Sequence, residues 1–105
     1  MTITYSTKIA TKFGINTALV AAYLYQEIGP RGFEVHKKRW VRCARKTLMA
    51  VYPFLGERAV GNALKRLTKY GLLLKHEYND SRFDRTLSFS FTDYGKAMME
   101  ELQNG

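Results

Sequence analysis

The sequence predicts a single α+β domain, mainly α, spanning residues 1–105, and three observations carry that reading. A chain of 105 residues suits one domain rather than two. Apolar residues at 46%, with 13% aromatic, supply enough surface for a real core. The hydrophobic pattern also changes period along the chain, helical over 57–70 and alternating over 85–91. No run approaches the roughly 18 apolar residues of a membrane span, and Met1 to Ser6 lack the basic and apolar blocks of a signal peptide, so a cytoplasmic protein is expected. A lone Cys43, with His36 and His76 as the two histidines, points to neither an internal disulfide nor a zinc site, and no cofactor is implied.

Each element has its own signal. Ser6 is placed to cap a short helix over Thr7 to Phe13, which Gly14 ends. Asn16 begins the next helix, where TALVAAYLYQEI (17–28) is apolar nearly all round and so suits the centre of a small core. Gly29-Pro30 ends it, and residues 29–38 read as a basic loop. Arg39 to Ala44 alternates as a short strand, with Trp40 and Arg42 on one face and Val41 and Cys43 on the other. Arg45 to Val51 reads as a two-turn helix stopped by Pro53, because the residue before a proline disfavours helical angles.

Glu57 to Tyr70 is the most legible helix. With Val60 at zero and about 100° per residue, Leu67 falls at about 340°, Leu64 at about 40° and Ala63 at about 300°. Opposite this apolar stripe, Lys65, Arg58, Lys69 and Asn62 fall at about 140°, about 160°, about 180° and about 200°, with Arg66 flanking at about 240°. Gly71 stops the helix, Leu72 to Tyr78 reads as a strand, and Asn79-Asp80-Ser81 as a turn. In Arg85 to Phe91, Leu87, Phe89 and Phe91 alternate with Thr86, Ser88 and Ser90, predicting an apolar face and a wet one. The two strands are expected to pair as an antiparallel hairpin. Thr92 caps a last helix, Asp93 to Leu102, in which Met98, Met99 and Leu102 pack locally or form a dimer seam. Trp40, Tyr23, Tyr70 and Phe89 are assigned to core packing, ahead of stacking on single-stranded bases.

Charge is the first functional clue. Seventeen Lys and Arg against nine Asp and Glu give +8 at pH 7, and polyanions are the natural partners of such a surface. The excess is local: residues 1–52 hold 9 basic and 2 acidic side chains, whereas 53–105 hold 8 and 7. Arg31, Lys37, Lys38, Arg39, Arg42, Arg45 and Lys46 crowd one segment against Glu34 alone, which fits either a polyanion site or a solvated loop.

A short helix, a tight turn, a second helix with a cationic stripe and then a hairpin resemble the winged helix-turn-helix. The residues that carry the resemblance are TLMAVYPFLGERAV (47–60), LKRLTKYGLL (64–73) and the ending FTDYGKAMMEEL. More narrowly, GINTALVAAYLYQEI, RWVRCA and YPFLGERAVGNALKRLTKYGLL are similar to the amino-terminal domain of phage replisome-organiser and DnaD-like replication initiation proteins, with Gly56 standing where a capping serine or threonine is usual. The resemblance implies that residues 57–70 form a recognition helix, that Asn79 to Asp84 form a wing tip, and that the partner is double-stranded DNA, in replication initiation or transcription regulation of a bacterium or phage.

Arg and Lys bond guanine and Asn bonds adenine in the major groove, so Arg58, Asn62 and Lys65 are candidate base readers, with Gly61 admitting close approach. Lys69 and Arg66 are candidate phosphate contacts, joined by Arg42, Arg45, Lys46 and Thr47 around the preceding helix and by Arg82 and Arg85 in the wing. Asp80 and Asp84 dilute the wing's charge and are read as compensating Arg82 and Arg85. The alternative is an interaction module that uses the same surface on an acidic protein partner. Catalysis has little support: neither histidine sits beside an activated nucleophile, the acids are too few for a two-metal nuclease, and Gly29-Pro30-Arg31-Gly32 is a turn rather than a phosphate loop. An RNA-acting enzyme is therefore not expected.

Overall fold

The computed structural model describes residues 4–79 and 81–104, with 101–104 as helical backbone. Five helices and a four-stranded antiparallel sheet follow one another as α1 (Thr7–Phe13), α2 (Ile15–Ile28), β1 (Phe33–Val35), β2 (Lys38–Arg42), α3 (Arg45–Val51), α4 (Glu57–Lys69), β3 (Leu73–His76), β4 (Ser88–Phe91) and α5 (Asp93–Asn104). No described helix is long and apolar enough to cross a membrane.

The capping chemistry is local and follows the sequence. Ser6 Oγ accepts the Ile9 N–H at the start of α1 and donates to the Met98 carbonyl of α5, so one hydroxyl serves a cap and a helix–helix tie. Thr92 Oγ1 accepts the Gly95 N–H at 3.0 Å. Pro53 leaves Tyr52 extended at the end of α3, with φ −120° and ψ 80°. After α4, Gly71 at φ 78° lets its own N–H reach the Thr68 carbonyl and the Leu72 N–H reach that of Leu67, a Schellman closure that turns the chain directly into β3.

Helix α2 is the central rod. Ala18, Val20, Ala21 and Leu24 are buried in it, and α1, α4 and the sheet pack around it. The Tyr52 hydroxyl donates to the Leu19 carbonyl at 2.9 Å, fastening the end of α3 to this rod. Val41, Leu73, Phe89 and Phe91 cover the sheet's inner face. Met98 and Met99 are buried in the same core, which settles local packing for these two; the Leu102 side chain lies outside the described residues.

The strand order is β1-β2-β4-β3. The expected β3–β4 hairpin is present, with Leu73 opposite Phe91 and His76 opposite Ser88. Three expectations about the sheet are corrected. First, residues 33–38 do not belong to a loop: β1 pairs with β2, Phe33 opposite Trp40, through a two-residue turn in which His36 and Lys37 have φ of 51° and 64°. Positive φ at both positions is the geometry that matches the twist of a hairpin, reached here without the usual glycine or asparagine.

Second, the last strand starts at Ser88 rather than Arg85. Asn79 Nδ2 donates to the Asp84 and Thr86 carbonyls, and Asp84 Oδ1 accepts the Thr86 N–H, so side chains satisfy this backbone in place of a ladder. Third, Ser88 and Ser90 are not wet; both are buried. They lie on the outer face between strands bearing large side chains, where the Trp40 ring sits 5.0 Å from that of Tyr78, and Ser90 Oγ donates to the Arg39 carbonyl. Trp40 is thus buried in an outer aromatic cluster with His76, Tyr78 and Phe33, apart from the main core. Tyr70 is not a core residue either: it is half exposed and stacks on Phe13 at 5.2 Å.

Candidate nucleic-acid interface

The wheel drawn from the sequence holds in α4. Val60, Ala63, Leu64 and Leu67 are buried, while Arg58, Asn62, Lys65 and Lys69 are exposed. The spacing of that quartet, four, three and four residues, is one continuous helical ridge along a helix of 13 residues, about 20 Å long at 1.5 Å per residue. Glu57 occupies the first turn and Arg66 and Lys69 the last, as the helix dipole prefers.

Between α4 and the β3–β4 hairpin runs a crevice of about 460 Å³. Four cations from four segments line it: Arg45 from α3, Lys65 from α4, Lys75 from β3 and Arg85 from the loop before β4. Its apolar wall includes Cys43, Leu64, Leu87 and Phe89. Lys75 was missing from the sequence-derived set. Its signal is the alternation Leu73-Lys75, which puts its side chain on the inner face at the sheet edge, opposite Phe89.

Arg45 has a specific seat. A β-carbon at Gly61 would lie 3.0 Å from its Nη1 and 3.1 Å from its Cζ, so the guanidinium rests on α4 where no side chain intervenes. Gly61 therefore admits a cation of the same chain at the position that the sequence reading kept open for close approach. Lys46 and Thr47 are exposed in the first turn of α3.

Two residues of the predicted set do not join this surface. Arg42 lies on the outer sheet face, where its Nη2 donates to the Tyr78 carbonyl at 2.6 Å. Arg66 turns toward α1 and donates to the Phe13 carbonyl at 3.1 Å, a cation on a helix C-terminus. The rest of the basic run is likewise dispersed. Arg31 pairs with Glu27 at 2.7 Å, and Arg39 donates to the Ile28 and Gly29 carbonyls that end α2. About half of the cationic excess in 31–46 thus serves local structure, and Arg45 is the member that reaches the crevice.

In the segment before β4, Arg82 lies over the Phe83 ring at 5.1 Å. Hydrogen bonds from Thr86, side chain first and backbone second, with a smaller contribution from the Arg42 charge, hold the Asp84 carboxyl below the usual range. Asp80 lies outside the described residues. Cys43 is buried, and burial together with the Glu27 charge pushes its thiol up to about 11, which leaves it unreactive near neutral pH. Compared with protein-family models, with curated proteins and with solved structures, the chain matches none.

Proposed function

We propose that the chain is a winged helix-turn-helix that binds double-stranded DNA, with α3 and α4 as the helix-turn-helix and the β3–β4 hairpin as the wing. The observation that carries the reading is the exposed ridge Arg58, Asn62, Lys65 and Lys69 beside a crevice rimmed by Arg45, Lys75 and Arg85. A helix fits the major groove of B-DNA, about 12 Å wide, and this ridge presents donors and an amide to its base edges. The strand order supports the same assignment: the strand between α2 and α3 pairs with the second strand of the hairpin, drawing the wing against α4. In this reading Arg58, Asn62 and Lys65 read bases. Arg45, Lys46, Lys69, Lys75 and Arg85 hold phosphates, with Arg82 further along the wing. The resemblance noted in the sequence directs the role toward replication initiation or transcription control in a bacterium or phage.

Fluorescence-anisotropy titration of duplex DNA at several salt concentrations tests it. Five or six phosphate contacts give a log–log slope of about −5. Asn62→Ala is expected to flatten base preference, and Lys69→Ala to weaken every duplex alike while making the slope shallower by about 0.9. A salt-independent affinity refutes the reading.

A further inference from the structure

Phe83 is 83% exposed, the most exposed large apolar side chain of the described residues. It stands on a loop that is tied internally. The Asp84 N–H reaches the Ser81 carbonyl at 3.2 Å, Ser81 Oγ accepts the Phe83 N–H, and Asn79 spans the base of the loop to Asp84 and Thr86. The aromatic ring is therefore displayed on a braced tip. The Arg82 guanidinium lies over the ring face, and Arg85 and Thr86 at the loop's foot line the same crevice as Lys65 of α4. An apolar wedge thus sits at the end of a cationic surface, the combination that proteins use to enter the minor groove and pry neighbouring base pairs apart.

We infer that Phe83 is a wedge inserted between adjacent base pairs of the bound duplex, with Arg82 on the flanking phosphate or groove floor. The inference rests on the DNA-binding reading and adds to it a deformation of the partner. With α4 in the major groove, the wing reaches the neighbouring minor groove. Opening a step there unstacks two base pairs and kinks the duplex, which is easiest at pyrimidine–purine steps such as TA. Charge complementarity selects the occupant: Arg82 lies over the ring, and Arg85 at the loop's foot joins Arg45, Lys65 and Lys75 around the crevice.

The experiment uses the full chain and a set of duplexes of about 20 base pairs, each with a single 2-aminopurine at a different position and with a central TA or AA step. Affinity is read by anisotropy, unstacking by 2-aminopurine emission, and bending by end-to-end energy transfer. The wild type is expected to raise emission at one step, to prefer TA over AA severalfold and to shorten the end-to-end distance. Phe83→Ala should keep the salt slope and the thermal melting of the wild type but lose the emission rise, the TA preference and the bend, and Phe83→Leu should retain a fraction of each. Salt-dependent binding with unchanged 2-aminopurine emission and equal behaviour of Phe83→Ala overturns the wedge and leaves the DNA reading intact. Absence of duplex binding by the wild type overturns both. Emission of Phe83→Trp that responds to phosphatidylglycerol vesicles and not to duplex assigns the ring to a lipid surface and also overturns the wedge.

Discussion

Gly61→Ala should stabilise the fold and impair the proposed interface at once. Gly61 lies inside α4, where replacing glycine by alanine gains about 0.5–1 kcal/mol from backbone entropy and helix propensity. The three atoms nearest the new β-carbon all belong to the Arg45 guanidinium, at 3.0 to 3.4 Å, the far end of an exposed and flexible side chain. That group can move into solvent, so the opposing term is a few tenths of a kcal/mol of lost packing. For a domain of this size the net gain corresponds to a rise in Tm of about 1–6 °C. Arg45 then leaves the crevice, and the slope of log affinity against log salt becomes shallower by about 0.9. Differential scanning calorimetry and anisotropy titration read the two effects on one preparation. A lower Tm refutes the reasoning, because it makes the Arg45 seat a structural contact rather than a placed charge. Arg45→Ala is the control and should reproduce the change in slope without the gain in Tm.

Gly95→Ala should have the opposite effect on stability, since its β-carbon would lie 2.2 Å from the Leu72 carbonyl oxygen, a backbone atom held by the turn after α4; a loss of about 3 kcal/mol in urea melts is expected, and a neutral result contradicts the packing of α5 on that turn. Cys43 holds its proton in the folded chain to about 11, against an ordinary 9.0, so the unfolded chain releases it first as pH climbs. The thiol's contribution is therefore intact below about pH 9 and is lost between about 9 and 11. Urea melts of the wild type should decline more steeply across that window than those of Cys43→Ala, and iodoacetamide at about pH 8 should label Cys43 only on unfolding; rapid labelling of the folded chain contradicts its burial.

Most of the helical framework was legible from local signals. The two caps at Ser6 and Thr92, the stop at Pro53 and the left-handed Gly71 act within a few residues of themselves. The buried stripe and the polar ridge of α4 follow from helical period alone, because a residue's angle on a helix does not depend on its neighbours in space. The sheet was less legible. His36-Lys37 carries no turn signature, and the charges around it mask the pairing of Phe33 with Trp40. Ser88 and Ser90 alternate as exposed residues do, yet Trp40 and Tyr78, which gather over that face, come from other segments of the chain.

Period and composition decided which residues turn inward on each helix and how much positive charge the chain carries. Tertiary packing decided where that charge is used, because an arginine's partner is set by whichever carbonyl or backbone surface lies opposite it. Arg39, Arg42 and Arg66 donate to carbonyls 10 or 11, 36 and 53 positions away, while Lys75, unremarkable in its strand, faces the crevice. Periodicity reports the direction in which a side chain points within its own element; the group it meets there is a property of the assembled fold.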